Sequence, residues 1–220
     1  MTRTPHKRRV ALLAAAAVAA VLLMAGCQQT PGTAAIIGGE RVKASEVQSS
    51  TTAFLDLVPN QFSEGDVQLL VLERDIYSRI LARAAANVAV SASATEIDGD
   101  RDAVFAATGG RNGLVKRLAA QQQPEVVAPD QVEQWLRDRI LFQKLATTAS
   151  GGGDPSSAAA QQAVGAELTK AAKQLKIEVS PRYGEWSDDR GLTPEISGGL
   201  SKTPQELAGT ASPTPVPTQP

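Results

Sequence analysis

Apolar residues recur along this chain with two different periods, and the switches between them outline the elements. A cationic start bearing Arg3, Lys7, Arg8 and Arg9 leads into an almost wholly apolar run from Val10 to Met24, closed by Leu23-Met24-Ala25-Gly26-Cys27. After a polar stretch, Ala34-Ala35-Ile36-Ile37, Gly38-Gly39 and Arg41-Val42 predict a short strand, a turn and a returning strand. A helix is expected from about Ala44 to Val58, stopped by Pro59. The longest helix is expected from Ser63, with Asp66 at capping distance. Along it Val67, Leu70, Val71, Tyr77, Ile80, Leu81, Ala84 and Val88 fall at three- and four-residue steps, and Leu69, Leu72 and Ile76 add a second apolar line. A helix so apolar around its girth either sits between neighbours or offers a face to a partner.

Ser93 and Glu96 have capping-box spacing for a helix to about Ala107, weakened by Gly99 and stopped by Thr108-Gly109-Gly110. A short helix over Gly113 to Gln122 ends at Pro124, and Asp130 with Glu133 can cap another to about Ala146, carrying Trp135, Leu136, Ile140, Phe142 and Leu145. Gly151 to Ser157 reads as a flexible linker, Ala158 to Leu175 as the last helix, and Ile177 with Val179 as one face of a closing strand. From Ser187 to Pro220 the chain is rich in Pro, Ser, Thr and Gly, and is expected to be a disordered tail. The expected organisation is a leader (1–26), a tether (27–33), one mainly α-helical domain (34–186) and the tail (187–220).

The leader changes the chemistry left to the chain. Its three-part layout is that of a secretory signal, and Ala25-Gly26-Cys27 resembles a bacterial lipobox, whose cysteine is lipidated and becomes the mature N-terminus. Val10 to Met24 is about 15 residues, short of the roughly 20 needed to cross a bilayer. Two or three acyl chains on Cys27 would hold the protein to a membrane, at about 0.8 kcal/mol per buried methylene. The expected location is therefore the extracytoplasmic face of the cell membrane.

Removing residues 1–26 takes away His6, the sole histidine, and both methionines, while Cys27 is the sole cysteine. Ser-His-Asp and Cys-His catalysis and His/Cys zinc sites are then excluded. The leader holds four of the 22 Lys+Arg and none of the 23 Asp+Glu, so 18 against 23 leaves a net charge of −5. With no basic stripe, nucleic acid is not an expected partner. Asp98, Asp100 and Asp102, and the pair Asp188-Asp189, are the densest acidic clusters. They read as solvated surface acids rather than a carboxylate acid–base pair or a calcium loop. No catalytic residue, metal site or cofactor is expected.

Several stretches taken in order resemble the SurA N-terminal domain, the peptide-binding part of extracytoplasmic SurA/PrsA-type folding factors. These are Ala35-Ile36-Ile37-Gly38-Gly39-Glu40-Arg41-Val42-Lys43, the long helix with Val71-Leu72-Glu73-Arg74 and Ile80-Leu81, Val88-Ala89-Val90-Ser91 with Thr95-Glu96-Ile97, and Trp135-Leu136-Arg137-Asp138 with Lys144-Leu145. Ser180-Pro181-Arg182-Tyr183-Gly184-Glu185-Trp186 is similar to the ending of actinobacterial lipoproteins with this domain, with Ser180 where Asn is usual. The likeness covers about Ala34 to Trp186. It implies a helical fold whose first strand pairs with its last, near Ile177 to Val179. Full-length members carry a parvulin prolyl isomerase domain before the last helix, where this chain has only Gly151 to Ser157. The resemblance thus implies a chaperone-like binder of unfolded exported polypeptides without isomerase chemistry. Phe54, Phe62, Leu69, Leu72 and Ile76 are the candidate peptide contacts. The alternative is a docking subunit for one envelope or secretion partner, with Tyr183 and Trp186 at the interface.

Overall fold

The structure, a computed structural model, describes residues 31–152 and 154–194. Residues 1–30, which carry the expected leader and Cys27, and residues 195–220 of the expected tail lie outside the described residues. The chain is mainly helical with a small antiparallel sheet.

Strands β1 (Thr33–Ile37) and β2 (Glu40–Lys43) form a hairpin over Gly38-Gly39, both at positive φ. Helices α1 (Ala44–Leu57) and α2 (Glu64–Asn87) follow. The Ser63 hydroxyl caps α2 by accepting from the Asp66 amide at 3.1 Å. Helix α3 (Ala94–Thr108) opens on the full capping box of Ser93 and Glu96 and closes on Gly109 at φ 77°. Helix α4 (Arg111–Ala119) starts two residues earlier than the sequence pattern suggests. Helix α5 (Val132–Ala149) and α6 (Ala158–Leu175) complete the bundle.

Asp130 does not cap α5. Residues Pro129–Gln131 form a 3-10 turn that runs into the helix, and Asp130 instead accepts a hydrogen bond from Ser50 on α1 at 2.5 Å. Proline at the first position of that turn fixes φ and needs no hydrogen-bond partner for its nitrogen, so a side-chain cap is replaced by the turn itself.

The chain ends meet as expected, but in a larger sheet. Strand β3 (Glu178–Val179) pairs antiparallel with β1, Ala35 opposite Val179 and Ile36 opposite Glu178, giving the order β2-β1-β3. Past Tyr183 the chain does not trail off at Ser187. Strands β4 (Glu185–Ser187) and β5 (Gly191–Thr193) form a second hairpin, and Leu192 is buried in the common core. The ordered domain therefore extends to at least Thr193. Its last turn depends on Gly184, at φ 118°, where a Cβ would stand 2.1 Å from the Thr193 carbonyl oxygen.

Helix α2 runs through the middle, in contact with α1, α5, α6, β1 and β5. Val67, Val71, Leu72, Ile76, Ile80, Leu81 and Ala84 all enter one continuous core with Phe54, Val115, Leu136 and Leu145. Both apolar lines of this helix are largely covered because it has neighbours on several sides; Tyr77 is the exception and stays exposed.

Candidate functional site

Helix α3 is set apart from the rest of the bundle. None of its residues is fully buried. It lies on α4 and α5, with Ile97, Val104 and Phe105 packed partly against the core. Charge pairs make the rest of its attachment. Glu96 meets Lys144 at 2.6 Å, Asp100 meets Arg139 at 2.9 Å and Arg101 meets Glu133 at 3.4 Å. Ascending α3 while descending α5, these three pairs form a ladder between antiparallel helices.

Lys144 also donates to the Ser91 carbonyl at 2.9 Å, tying the end of α5 to the turn before α3. The Glu96 carboxyl is held at about 2, chiefly by its hydrogen bond from Lys144 and then by those from the Ser93 amide and hydroxyl. Glu96 is thereby an ionised latch at every ordinary pH.

Where α3 leaves α5, a cleft of about 890 Å³ opens. Val90, Ala103 and Ile140 give it apolar walls, and Gly99 leaves room on the α3 side, with no atom within 4 Å of where its Cβ would be. The hydroxyls of Thr147 and Thr148 are bonded to the carbonyls of Gln143 and Lys144 in their own helix. The side chains of Thr95 and Gln143 line the cleft with no such partner among the described residues. The carboxylates in the cleft, Glu96 and Asp100, are each matched by a cation. What the arrangement can do is hold a chain segment by apolar contact with a few adaptable hydrogen bonds.

The residues singled out from the sequence are not gathered here. Phe54, Leu72 and Ile76 are each 0% exposed and belong to the core, so they form no accessible groove. Phe62 is half-buried with its ring edge-on to Phe54, centroids 5.5 Å apart, and Leu69 is half-buried against the same core. Tyr183 is buried at 5% exposure and pins the turn after β3, whereas Trp186 is half-buried beside that strand. The acidic cluster is a set of ion-pair partners: Asp98 pairs with Arg101 at 2.6 Å and Asp100 with Arg139. Asp188 accepts from the Trp186 indole at 3.0 Å and Asp189 from the Ser187 hydroxyl.

The cleft has no direct signature in the hydrophobic pattern of the sequence. Its signal was present as the complementary spacing of Glu96 and Asp100 against Arg139 and Lys144, which predicts two helices facing each other through charge.

Among the described residues no three His, Cys, Asp or Glu side chains converge as metal ligands, and no helix is long and apolar enough to cross a membrane. Comparison with protein-family models, with curated proteins and with solved structures gives no match.

Proposed function

We propose that this protein is a membrane-tethered, extracytoplasmic, chaperone-like binder of unfolded exported polypeptides, working without prolyl isomerase or other bond-making chemistry. The observation that carries the reading is the open cleft between α3 and α5, with apolar walls and free polar groups where an enzyme would need an unpaired acid or base. The resemblance of residues 34–186 to the SurA N-terminal domain supports it, and so does the leader ending in Ala25-Gly26-Cys27.

The elements among the described residues lie between Thr33 and Thr193, so a chain starting at Gln28 retains every one of them. At stoichiometric excess this chain slows aggregation of a reduced, unfolded client. Gly99→Trp, at a position where an added Cβ has no atom within 4 Å, puts an indole at the cleft and abolishes the effect while leaving the circular dichroism unchanged. No suppression by the unsubstituted chain at any ratio removes the reading. The anchor is tested separately: labelled palmitate enters the full-length protein in its bacterial host and fails to enter Cys27→Ser.

A second reading, a docking subunit for one folded envelope or secretion partner, is favoured by the half-buried Trp186 at the domain's end. Crosslinking in membranes separates the two, one stoichiometric partner supporting docking and a spread of exported proteins supporting the chaperone.

A further inference from the structure

The three-stranded sheet stops at β3, which has β1 on one side and no strand on the other. The register fixes what that open side presents. The Ser180 amide donates to the Ala34 carbonyl at 2.8 Å, and Glu178 is paired with Ile36, so residues 178 and 180 turn their backbone groups towards β1. By the alternation of an antiparallel ladder, Val179 between them turns its N–H and C=O outwards. No backbone hydrogen bond among the described residues engages them.

Beside this edge, between β3 and β4, runs a groove of about 470 Å³. Ile177, Val179, Pro181 and Trp186 make its apolar lining. Glu178 and Glu185, both exposed, add negative charge, and neither has an ion-pair partner among the described residues. No lysine or arginine lines the groove.

We propose that the free edge of β3 is a strand-addition site for an extended polypeptide segment in which apolar residues alternate with basic ones. The backbone of Val179 supplies a main-chain donor and acceptor for the incoming strand. Side chains of that strand alternate in direction, so every second one enters the apolar groove while those between meet solvent and the two carboxylates. The edge is short and ends at Pro181, which confines strand addition to Val179, and the charge beside it, Glu178 and Glu185, is negative and suits a basic segment. It lies apart from the α3–α5 cleft, so the two sites can succeed or fail independently.

The probe is a capped nine-residue peptide of alternating valine and lysine, titrated into the chain from Gln28 to Pro220. Trp186 reports: its indole is fixed by Asp188 inside the groove, whereas the other tryptophan, Trp135, is buried against Glu125. Saturable binding with a fluorescence shift absent from Trp186→Phe is expected, and Gly99→Trp leaves it unchanged. Val179→Pro removes the outward N–H and spares the bonds to β1, and it weakens binding tenfold or more. Reversing both carboxylates, Glu178→Lys with Glu185→Lys, weakens it about tenfold. The same peptide with alternate backbone nitrogens methylated does not bind the unsubstituted chain, which keeps the test decisive should Val179→Pro unfold.

The proposal is overturned by undiminished binding of the methylated peptide, or by an alternating valine–glutamate peptide binding as well as the lysine one. A tenfold gain in affinity on deleting residues 195–220 also overturns it, since the groove would then belong to the chain's own tail.

Discussion

Asp138 shows how much one side chain can set the behaviour of this fold. It sits on α5 at 6% exposure, facing α2, where the Ser78 hydroxyl donates to Oδ1 at 2.9 Å and Oδ2 is buried without a partner. Burial pushes its carboxyl up to about 6, against the lowering effects of Ser78 and Arg74. A folded carboxyl with a raised value favours the protonated form. Below about pH 4 both folded and unfolded chains hold the proton and there is no penalty. Between about pH 4 and 6 the unfolded chain releases it first, so stability falls, and above 6 the loss is complete, on the order of 2–3 kcal/mol. Urea unfolding of the unsubstituted chain at pH 4.5, 6 and 7.5 should show this decline, and Asp138→Asn should flatten it. At the same scale, Leu72→Ala or Ile76→Ala leaves a cavity in the core and lowers stability by about 2–5 kcal/mol. Neither change alters peptide affinity of the molecules still folded, which calorimetry on the folded fraction checks. The apolar character of these two residues was legible in their spacing. Their burial was not, because helical periodicity tells which positions are apolar but not on how many sides a helix has neighbours.

Among the elements, α3 is the one held on by charge. Exposed ion pairs are each worth about 0–1 kcal/mol and weaken with salt, so α3 is the helix most easily released. Lys144→Glu reverses one rung and loses the bond to Ser91. Hydrogen exchange of α3 amides should then quicken severalfold while α2 keeps its protection, and raising sodium chloride to 1 M should move the unsubstituted chain the same way. The helices were readable where their ends carry their own chemistry: Ser63, Ser93 with Glu96, and Gly109 all act as the sequence predicts. The β4–β5 hairpin was not readable, since two three-residue strands show one large apolar side chain each, Trp186 and Leu192. Its existence rests on Leu192 reaching the core and on the backbone contact at Gly184. Gly184→Ala should open this hairpin and quench-expose Trp186 to iodide, without unfolding the bundle.

At the scale of the whole molecule, the path between α5 and α6 is the most permissive part of the fold. Residues 150–157 separate the two helices and carry Gly151 and Gly152 at positive φ. Loop-closure entropy grows only with the logarithm of length, so ten added Gly/Ser residues cost under about 1 kcal/mol. Thermal melting should shift by only a few degrees. Ending the chain after Leu175 is a different matter, because it removes β3 and the buried side chains of Tyr183 and Leu192 beyond it.

The closure of the sheet also governs how the molecule answers to tension. Thr33 begins β1, and Ala34 is bonded to Ser180 at the far end of β3, so the two strands of the pair leave the sheet at the same corner. Once the β4–β5 hairpin has been drawn away, a pull between the two ends of the chain loads that corner in unzipping rather than in shear, parting the bonds one after another instead of all at once. A protein held by its start and tugged at its far end would give up the short β4–β5 hairpin and its Leu192 contact first, and the Ala34–Ser180 bond only after them.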